Sequence, residues 1–302
     1  MTKKQPNCFI IGAPKCGTTA LASYLNDHEN IFVSDPKEPH YFATDLPGYD
    51  ACKSKKNYEQ IFMKVNNKHK IICEASVFYL YSKNAIKNIY EYNKNAKIII
   101  MLRNPVDMVY SLHAQLFYTA DEDEKDFTKA WNLIEKRKKG INIPKYTRAK
   151  ELLYYDEIAK YAEQLERVYK YFNHDNVKII FFNDFKEDTK KVYEDVLNFL
   201  DLEQNNKSSF PIINENEVAK NNYLKTLIKK QPLGLKILNK GLKKIIKVKS
   251  FGLVRFINKL NSKKEKRKAL PNTLRQDIIN TYKSDIHLLS KLTGRNLDKW
   301  LN

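Results

Sequence analysis

The sequence contains no hydrophobic run long enough to cross a membrane. Across its 302 residues, no window approaches the roughly 18 consecutive apolar residues that a transmembrane helix requires. The first apolar run, Cys8–Ile11, is also too short for the hydrophobic region of a secretory signal. These two absences predict a cytoplasmic protein.

Cysteine is also scarce. The four cysteines are Cys8, Cys16, Cys52 and Cys73, and they form neither a C-x-x-C pair nor a zinc-finger spacing with the histidines. This pattern argues against a disulfide scaffold. It predicts reduced thiols and no bound metal.

Acidic residues are few compared with basic ones, 35 against 54, and the net charge is +19. Residues 219–268, which we call the basic segment, hold 17 Lys or Arg and one acidic residue, so they carry +16 and the rest of the chain carries +3. Three interpretations stay open. The basic segment is a solvated surface, a lid that attracts an anionic substrate, or an amphipathic surface that lies on the inner face of an anionic membrane.

Short apolar runs alternate with helical patterns over the first two thirds of the chain. Strands are predicted at 8–11, 31–33, 70–73, 97–102 and 177–182, and helices at 20–25, 85–92, 151–172, 192–200 and 270–301, with one more beginning after residue 105. This alternation predicts an α/β fold, a P-loop-like three-layer sandwich with a central, mostly parallel sheet and helices on both faces. The basic segment is predicted to be helical. We expect a single domain, 1–302, in which residues 219–268 are an insert or lid and residues 270–302 pack back on the core.

The sequence GAPKCGTT, residues 12–19, follows the first strand and precedes a helix. We call it the phosphate loop, because backbone N–H groups at such a helix start bind anions. A P-loop would require lysine at Thr18, but here the lysine is Lys15. This departure argues against an ordinary ATPase or GTPase.

A second anion-binding pattern follows the strand KIIIML. Arg103 stands at its carboxyl end, where parallel sheets bind ligands, and Ser111 lies about two helical turns further on. An arginine can hold a phosphate with two hydrogen bonds, and a serine hydroxyl can add a third. Together with the phosphate loop, this pattern predicts a ligand with two separated phosphate groups.

These motifs resemble the sulfotransferases that use 3′-phosphoadenosine 5′-phosphosulfate (PAPS), in particular the carbohydrate and heparan-sulfate-type branch and its bacterial relatives. The resemblance rests on four segments in the same order and spacing, and it continues weakly to the carboxyl terminus. The segments are GAPKCGTTAL at 12–21, KEPHYF at 37–42, EASVFYLYS at 74–82 and LRNPVDMVYS at 102–111.

The resemblance implies a role for each matching residue. Lys15, Cys16, Gly17, Thr18 and Thr19 would hold the 5′-phosphosulfate, and Lys15 would also neutralise the charge that develops on the leaving oxygen. Arg103 and Ser111 would hold the 3′-phosphate. Position in the chain further suggests Lys264 and Arg267 as basic residues over the cofactor. No metal is implied, since lysine and backbone dipoles stabilise the leaving group.

The resemblance also implies a base that takes the proton of the acceptor hydroxyl. Glu38 matches the glutamate of that branch, whereas His40 is the rival and His113 a weaker candidate. Relatives often have Glu-Lys where this chain has Glu74-Ala75. Glu74 is therefore either close to the acceptor or structural.

The sequence thus predicts a PAPS-dependent sulfotransferase that acts on a hydroxyl of a carbohydrate or glycolipid. Two other functions stay open: a nucleotide-dependent phosphotransferase, which would need Mg²⁺, and a basic RNA-binding protein. Against RNA, the sequence shows no known RNA-binding motif. The +16 of the basic segment is better explained by an anionic acceptor or membrane surface than by nucleic acid.

Overall fold

A computed structural model describes residues 5–49, 52–213 and 268–302, and the backbone of residues 217–219 and 262–264. These residues form two compact units. The first comprises residues 1–112, 154–213 and 271–302, and the second comprises residues 113–153 and 214–270. The expectation of one domain stays a prediction.

The first unit is built on a five-stranded parallel sheet in the order β2-β3-β1-β4-β5. Its strands are β1 (Cys8–Gly12), β2 (Ile31–Val33), β3 (Ile71–Ala75), β4 (Lys97–Leu102) and β5 (Val177–Phe181). Every residue of β1 and β3 is buried, as is all of β4 after Lys97, which is why these strands read as continuous apolar runs. The predicted α/β fold with a parallel sheet is confirmed.

Helices flank this sheet. Those of the first unit are α1 (Thr18–Asn26), α2 (Lys55–Gln60), α3 (Ala85–Tyr92), α7 (Tyr161–Tyr169), α8 (Phe182–Glu187), α9 (Thr189–Phe199) and α10 (Asn272–Thr293). α4 spans Pro105–Tyr118, and the second unit contains α5 (Phe127–Asn132) and α6 (Ile134–Lys138). Short 3-10 helices cover Lys150–Leu153, His174–Asn176 and Asp298–Trp300.

The predicted continuous helix over 151–172 is wrong. A 3-10 turn ends at Leu153, and α7 begins only at Tyr161. The carboxylate of Asp285, on α10, accepts hydrogen bonds from the backbone N–H groups of Ala162 and Glu163 and so occupies the start of α7. This cap comes from a residue more than a hundred positions away, so local periodicity could not reveal it.

The carboxyl-terminal helix is shorter than the predicted 270–301, since α10 ends at Thr293 and Gly294 after it has a φ of 65°. The side chains of Leu289, Leu297 and Trp300 are buried, and the ring of Trp300 lies at 5.9 Å from that of Phe181, between centroids. In the described part of the chain, no helix has both the length and the apolar character needed to span a bilayer.

The second unit contains two arginine–carboxylate pairs. Arg137 and Glu122 are fully buried and joined by hydrogen bonds of 2.7 and 2.6 Å, and Arg148 pairs with the buried Asp121 at 2.6 Å. Such charges are tolerated inside a protein only when both partners are present.

Most of the basic segment lies outside the described residues, so its predicted helices and Arg267 do too. Lys264 belongs to a short strand, β7 (Ser262–Lys264), which pairs antiparallel with β6 (Glu217–Ala219). The sequence did not predict this pairing, because strands of three residues are too short to show an alternation of apolar and polar residues.

Candidate functional site

The phosphate loop lies at the carboxyl end of β1, beside the end of β4. β1 pairs with β3 on one side and β4 on the other, and the order of the strands along the chain reverses here. Open α/β sheets bind ligands at this position. α1 starts at Thr18, so the first N–H groups of the helix have no partner within the helix and point toward this edge.

Gly17 gives the phosphate loop its shape. Its φ of 91° is in the left-handed region, and a Cβ there would lie 3.2 Å from the Phe182 ring and 3.3 Å from the Met101 methyl group. Any side chain would therefore strain the backbone and crowd β4 and α8. Lys15 is also left-handed, at 62°, and its side chain is partly exposed.

Cys16 faces the interior of the protein. Its buried thiol donates to the carbonyl of Pro14 at 3.3 Å. Burial raises the pKa of the thiol to about 12, although Arg103 and Lys15 act in the opposite direction. The thiol is therefore no nucleophile, and any contact of Cys16 with a ligand would come from its backbone N–H.

Arg103 contacts the phosphate loop directly. Its guanidinium donates to the carbonyl of Lys15 at 3.4 Å and stacks over the ring of Phe182 at 4.9 Å. It also lies 3.7 Å from the carboxylate of Asp107, and a quarter of its side chain is exposed. The fold thus brings together the two anion-binding motifs that the sequence predicted separately.

The other residues predicted to bind the cofactor, and the weaker candidate base His113, lie outside the phosphate loop. Ser111 is buried in α4, seven residues beyond Asn104. The ring of His113 is buried in the second unit, where Nε2 lies 2.9 Å from the carbonyl of Glu124, and burial lowers its pKa. The side chains of Lys264 and Arg267 lie outside the description.

Glu38 lies next to the last residue of β3, Ala75, and its N–H donates to the carbonyl of Ala75. Its Oε1 accepts from Lys37 Nζ at 2.9 Å, and its Oε2 lies 3.5 Å from Nε2 of His40. Burial acts to raise the pKa of Glu38, but the charge of Lys37 and the interaction with His40 outweigh it and hold the pKa well below its usual range. The carboxylate, one third exposed, is ionised at neutral pH.

Lys37 links this carboxylate to the phosphate loop. Its ammonium also donates to Oγ1 of Thr19, on the first turn of α1, at 3.0 Å. Sequence reasoning did not single out Lys37, although it lies next to Glu38 in KEPHYF. The only available signal was the charge itself, which is common in this lysine-rich chain.

His40 lies behind Glu38 and is shielded from solvent. Only 3% of its side chain is exposed. Its ring stacks on that of Phe78 at 5.4 Å and meets the edges of Tyr49 and Tyr79. His40 is thus packed among aromatic rings, and Glu38 is the group of this pair that can face a substrate.

Glu74 is fully buried at the end of β3. Its Oε2 accepts from the hydroxyls of Tyr79 at 2.9 Å and Tyr58 at 3.2 Å. Burial raises the pKa of Glu74 to about 7, against the lowering effect of the hydrogen bonds from Tyr79 and Tyr58. Tyr79 is itself buried.

A cavity of about 640 Å³ opens beside the 37–42 segment in the first unit. Its walls come from the chain that follows His40, the start of α2 and the last turns of α3. They include the aromatic residues Tyr41, Phe42 and Tyr92, the lysines Lys53 and Lys55, and the polar residues Asn88 and Glu91. None of the phosphate-loop residues lines it.

Among the described residues, no three His, Cys, Asp or Glu side chains are grouped to hold a metal ion. The cations at this edge of the sheet are instead Lys15, Lys37 and Arg103. A group with several negative charges therefore fits this edge of the sheet.

Comparison with known proteins identifies a family and a shared fold. A family model described as a sulfotransferase domain matches residues 5–288. A crystal structure of a sulfotransferase from Alicyclobacillus acidocaldarius is 24% identical, covers 99% of both chains and superposes with a TM-score of 0.70.

Two curated proteins match parts of the chain. The membrane-associated sulfotransferase kil1 of Dictyostelium discoideum is 37% identical over 34% of this chain and 21% of its own length. The heparan sulfate glucosamine 3-O-sulfotransferase 5 of Mus musculus is 27% identical over 57% of this chain and 46% of its own length. The matched region is thus less than half of each of these relatives.

Proposed function

This chain belongs to the sulfotransferase family, since the family model matches nearly all of it, and on that premise we propose that it transfers a sulfonyl group from PAPS to a hydroxyl of a carbohydrate or glycolipid acceptor. The observation that carries this proposal is the contact between Arg103 and the phosphate loop. Two anion-binding motifs, far apart in the sequence, form one continuous basic edge that suits a nucleotide with phosphate groups at both 3′ and 5′ positions.

The 5′-phosphosulfate would bind the phosphate loop. Backbone N–H groups of residues 16–19, the Thr18 and Thr19 hydroxyls and the Lys15 ammonium supply its donors. Arg103 would hold the 3′-phosphate, with Ser111 as a further donor. The stacking of Arg103 on Phe182 restricts the guanidinium, so little further entropy is lost when it binds phosphate.

In the reaction, the acceptor oxygen attacks the sulfur while the bond between sulfur and the bridging phosphate oxygen breaks. The acceptor proton passes to the Glu38 carboxylate, and the products are a sulfate ester and adenosine 3′,5′-bisphosphate. Lys15 stabilises the negative charge on the leaving oxygen. Lys37 contacts both Thr19 and Glu38, so it lies between the donor-binding loop and the base.

A strongly acidic carboxyl is a weak base, and binding of PAPS would correct this. A sulfonate near Thr19 competes with Glu38 for the Lys37 ammonium. Because the attraction of Lys37 is what lowers the pKa of Glu38 most, its partial loss raises that pKa toward the range in which a carboxylate accepts a proton more readily.

The cavity that Tyr41 and Phe42 line supports a carbohydrate acceptor. Tyr41 is three residues from Glu38, so their Cα atoms are at most about 11 Å apart. The ring of Tyr41 is held by stacking on Tyr58, with centroids 4.5 Å apart. A flat aromatic wall with amide and charged neighbours suits the mixed apolar and polar surface of a sugar.

The two cavity lysines provide a test of the acceptor class. The double variant Lys53→Gln/Lys55→Gln should raise KM for a desulfated heparan sulfate hexasaccharide about five- to thirtyfold, because each lysine supplies roughly 0.5–1 kcal/mol of attraction to a carboxylate. Initial rates at saturating PAPS measure this. Lys64→Gln/Lys68→Gln, two exposed lysines outside the cavity, is the matched control. An equal KM in both double variants would exclude the cavity as part of the acceptor site.

Calorimetry with adenosine 3′,5′-bisphosphate and with AMP tests the donor site. We expect the bisphosphate to bind at least about tenfold more tightly, since one hydrogen-bonded phosphate charge is worth roughly 1.5–3 kcal/mol. Arg103→Ala should remove this preference, whereas Arg275→Ala, which loses an exposed arginine bonded to Asn302, should keep it. Equal, weak binding of both nucleotides to the unmodified protein would contradict the two-phosphate site.

Two further measurements, turnover in EDTA and the salt dependence of RNA binding, separate this function from the two alternatives. A phosphotransferase would lose turnover in EDTA, and an RNA-binding protein would bind RNA with an affinity that falls steeply with salt. Sulfonyl transfer should persist in EDTA. For the basic segment we keep the prediction that it acts toward an anionic acceptor or a membrane surface. Its removal should therefore alter acceptor use before it alters PAPS binding.

A further inference from the structure

We propose that Glu74 is a positioning residue, which holds the base Glu38 in place through two hydroxyl groups that the buried carboxylate orients. The proposal rests on the assignment of Glu38 as the base. Glu74 itself is buried and would touch neither PAPS nor the acceptor.

The 37–42 segment has a backbone that must be held. Glu38 has a φ of 62° and His40 a φ of 49°, both in the left-handed region that residues other than glycine rarely adopt. Such conformations cost roughly 1–3 kcal/mol each and persist only where the surroundings impose them. Two left-handed residues on either side of Pro39 indicate strong tethers nearby.

One of these tethers ends at the Glu74 carboxylate. The N–H of His40 donates to the Ser76 hydroxyl at 3.1 Å, and the N–H of Phe42 donates to the Tyr79 hydroxyl at 3.3 Å. The Tyr79 hydroxyl in turn donates to Glu74 at 2.9 Å. An ionised carboxylate only accepts hydrogen bonds, so the hydroxyl proton of Tyr79 must point to it. An oxygen lone pair of Tyr79 is then left to accept the N–H of Phe42.

Tyr58 provides a second link between Glu74 and the same segment. Its hydroxyl donates to Glu74, and its ring stacks on that of Tyr41, which lies between His40 and Phe42. Glu74 thus organises two side chains around one turn of the chain. The carbonyl of Ala75, next to Glu74, accepts a further hydrogen bond from the N–H of Glu38.

The charge of Glu74 decides how well this arrangement works. Burial raises its pKa to about 7, so the carboxyl changes charge within the usual assay range. A neutral carboxyl is a weaker acceptor and carries a proton of its own, so the hydroxyls lose their fixed orientation as pH falls. The titratable groups that face Glu74 are Tyr58 on α2, Tyr92 on α3, Tyr79, Cys52, Glu38 and, on its own strand, Cys73.

Kinetics of full-length variants test the proposal. Glu74→Ala should lower kcat about 30- to 100-fold and Tyr79→Phe about tenfold, while the affinity for adenosine 3′,5′-bisphosphate changes less than about twofold, because donor binding does not use this network. Glu74→Gln keeps one acceptor oxygen and should recover most of the loss. In the unmodified enzyme kcat should rise as pH increases through about 7, and in Glu74→Gln this rise should disappear.

Amide hydrogen exchange provides a readout that does not need activity. In Tyr79→Phe, the amide of Phe42 should exchange at least about tenfold faster, and in Glu74→Gln by a smaller factor of about two to three, while the Leu21 amide on α1 stays protected. Tyr193→Phe, which removes the hydroxyl of another buried tyrosine in the same unit, is the control and should leave both amides unchanged.

Unchanged protection of the Phe42 amide in Tyr79→Phe would refute the positioning role. So would equal kcat and equal pH profiles in the unmodified enzyme and Glu74→Gln. If Glu38→Gln keeps normal turnover while the Glu74 variants lose protection, the base assignment fails and the tether stands. Glu74→Ala that does not fold would leave the two milder variants to decide.

Discussion

Replacing Lys15 by alanine is expected to lower the rate of sulfonyl transfer about 10²- to 10³-fold, because loss of one donor that stabilises a developing oxyanion has an effect of that size. In the proposed reaction the Lys15 ammonium neutralises the charge on the leaving oxygen, and Lys15 is partly buried. The effect should fall mainly on kcat. The charge on the bridging oxygen grows as the bond to sulfur breaks, so Lys15 binds the transition state more strongly than PAPS.

The Lys15→Ala substitution should remove the ammonium without disturbing the backbone of the phosphate loop. Alanine is no more strained than lysine at a φ of 62°, and Arg103 bonds the Lys15 carbonyl, which the variant retains. Lys15→Arg should recover part of the rate, since it keeps the charge in a bulkier, planar form. Lys64→Ala, an exposed lysine elsewhere in the first unit, should match the unmodified enzyme. Turnover of Lys15→Ala within fivefold of normal would remove Lys15 from the chemistry.

Replacing Glu38 by glutamine should lower kcat about 10²- to 10³-fold, as expected when a general base is lost. Glutamine has the same shape and can still accept from Lys37, so the affinity for adenosine 3′,5′-bisphosphate should stay within about twofold. Single-turnover rates and calorimetry measure the two effects separately. A large loss of nucleotide affinity would indicate that Glu38 organises the donor site instead.

The pH dependence separates Glu38 from His40. Because Lys37 and His40 keep the pKa of Glu38 low against the effect of burial, the Glu38 carboxylate stays ionised in the free enzyme. In Glu74→Gln, which lacks the ionisation near pH 7, kcat/KM should therefore show no acidic limb above roughly pH 5, and His40→Gln is compared on this same background. Removing His40 takes away one of these lowering effects. In His40→Gln the pKa of Glu38 should therefore rise and an acidic limb should move into view. If His40 were the base, His40→Gln would instead abolish turnover at every pH.

Much of the fold could be predicted because it is encoded locally. The apolar runs at β1 and β4 are buried on both faces, and they are read correctly from the sequence. The helix over 151–172 was not, since Asp285 on α10 caps the start of α7 from a distant part of the chain. The β6–β7 pairing was not predicted either, because it joins two three-residue segments that lie far apart in the sequence.

For the candidate site, the sequence by itself determined which residue types could bind anions: the phosphate loop with Lys15, the arginine after β4, and Glu38 with His40 as alternative bases. Spacing and residue type carry that information. Only the tertiary structure decided where these residues lie relative to one another and which of them are shielded from water. It brought Arg103 to the Lys15 carbonyl, made Lys37 the link between Thr19 and Glu38, buried His40 among aromatic rings, and set Glu74 beneath the 37–42 segment. These relations depend on which strands lie side by side and on what is shielded from water, and a linear pattern of residues does not contain either quantity.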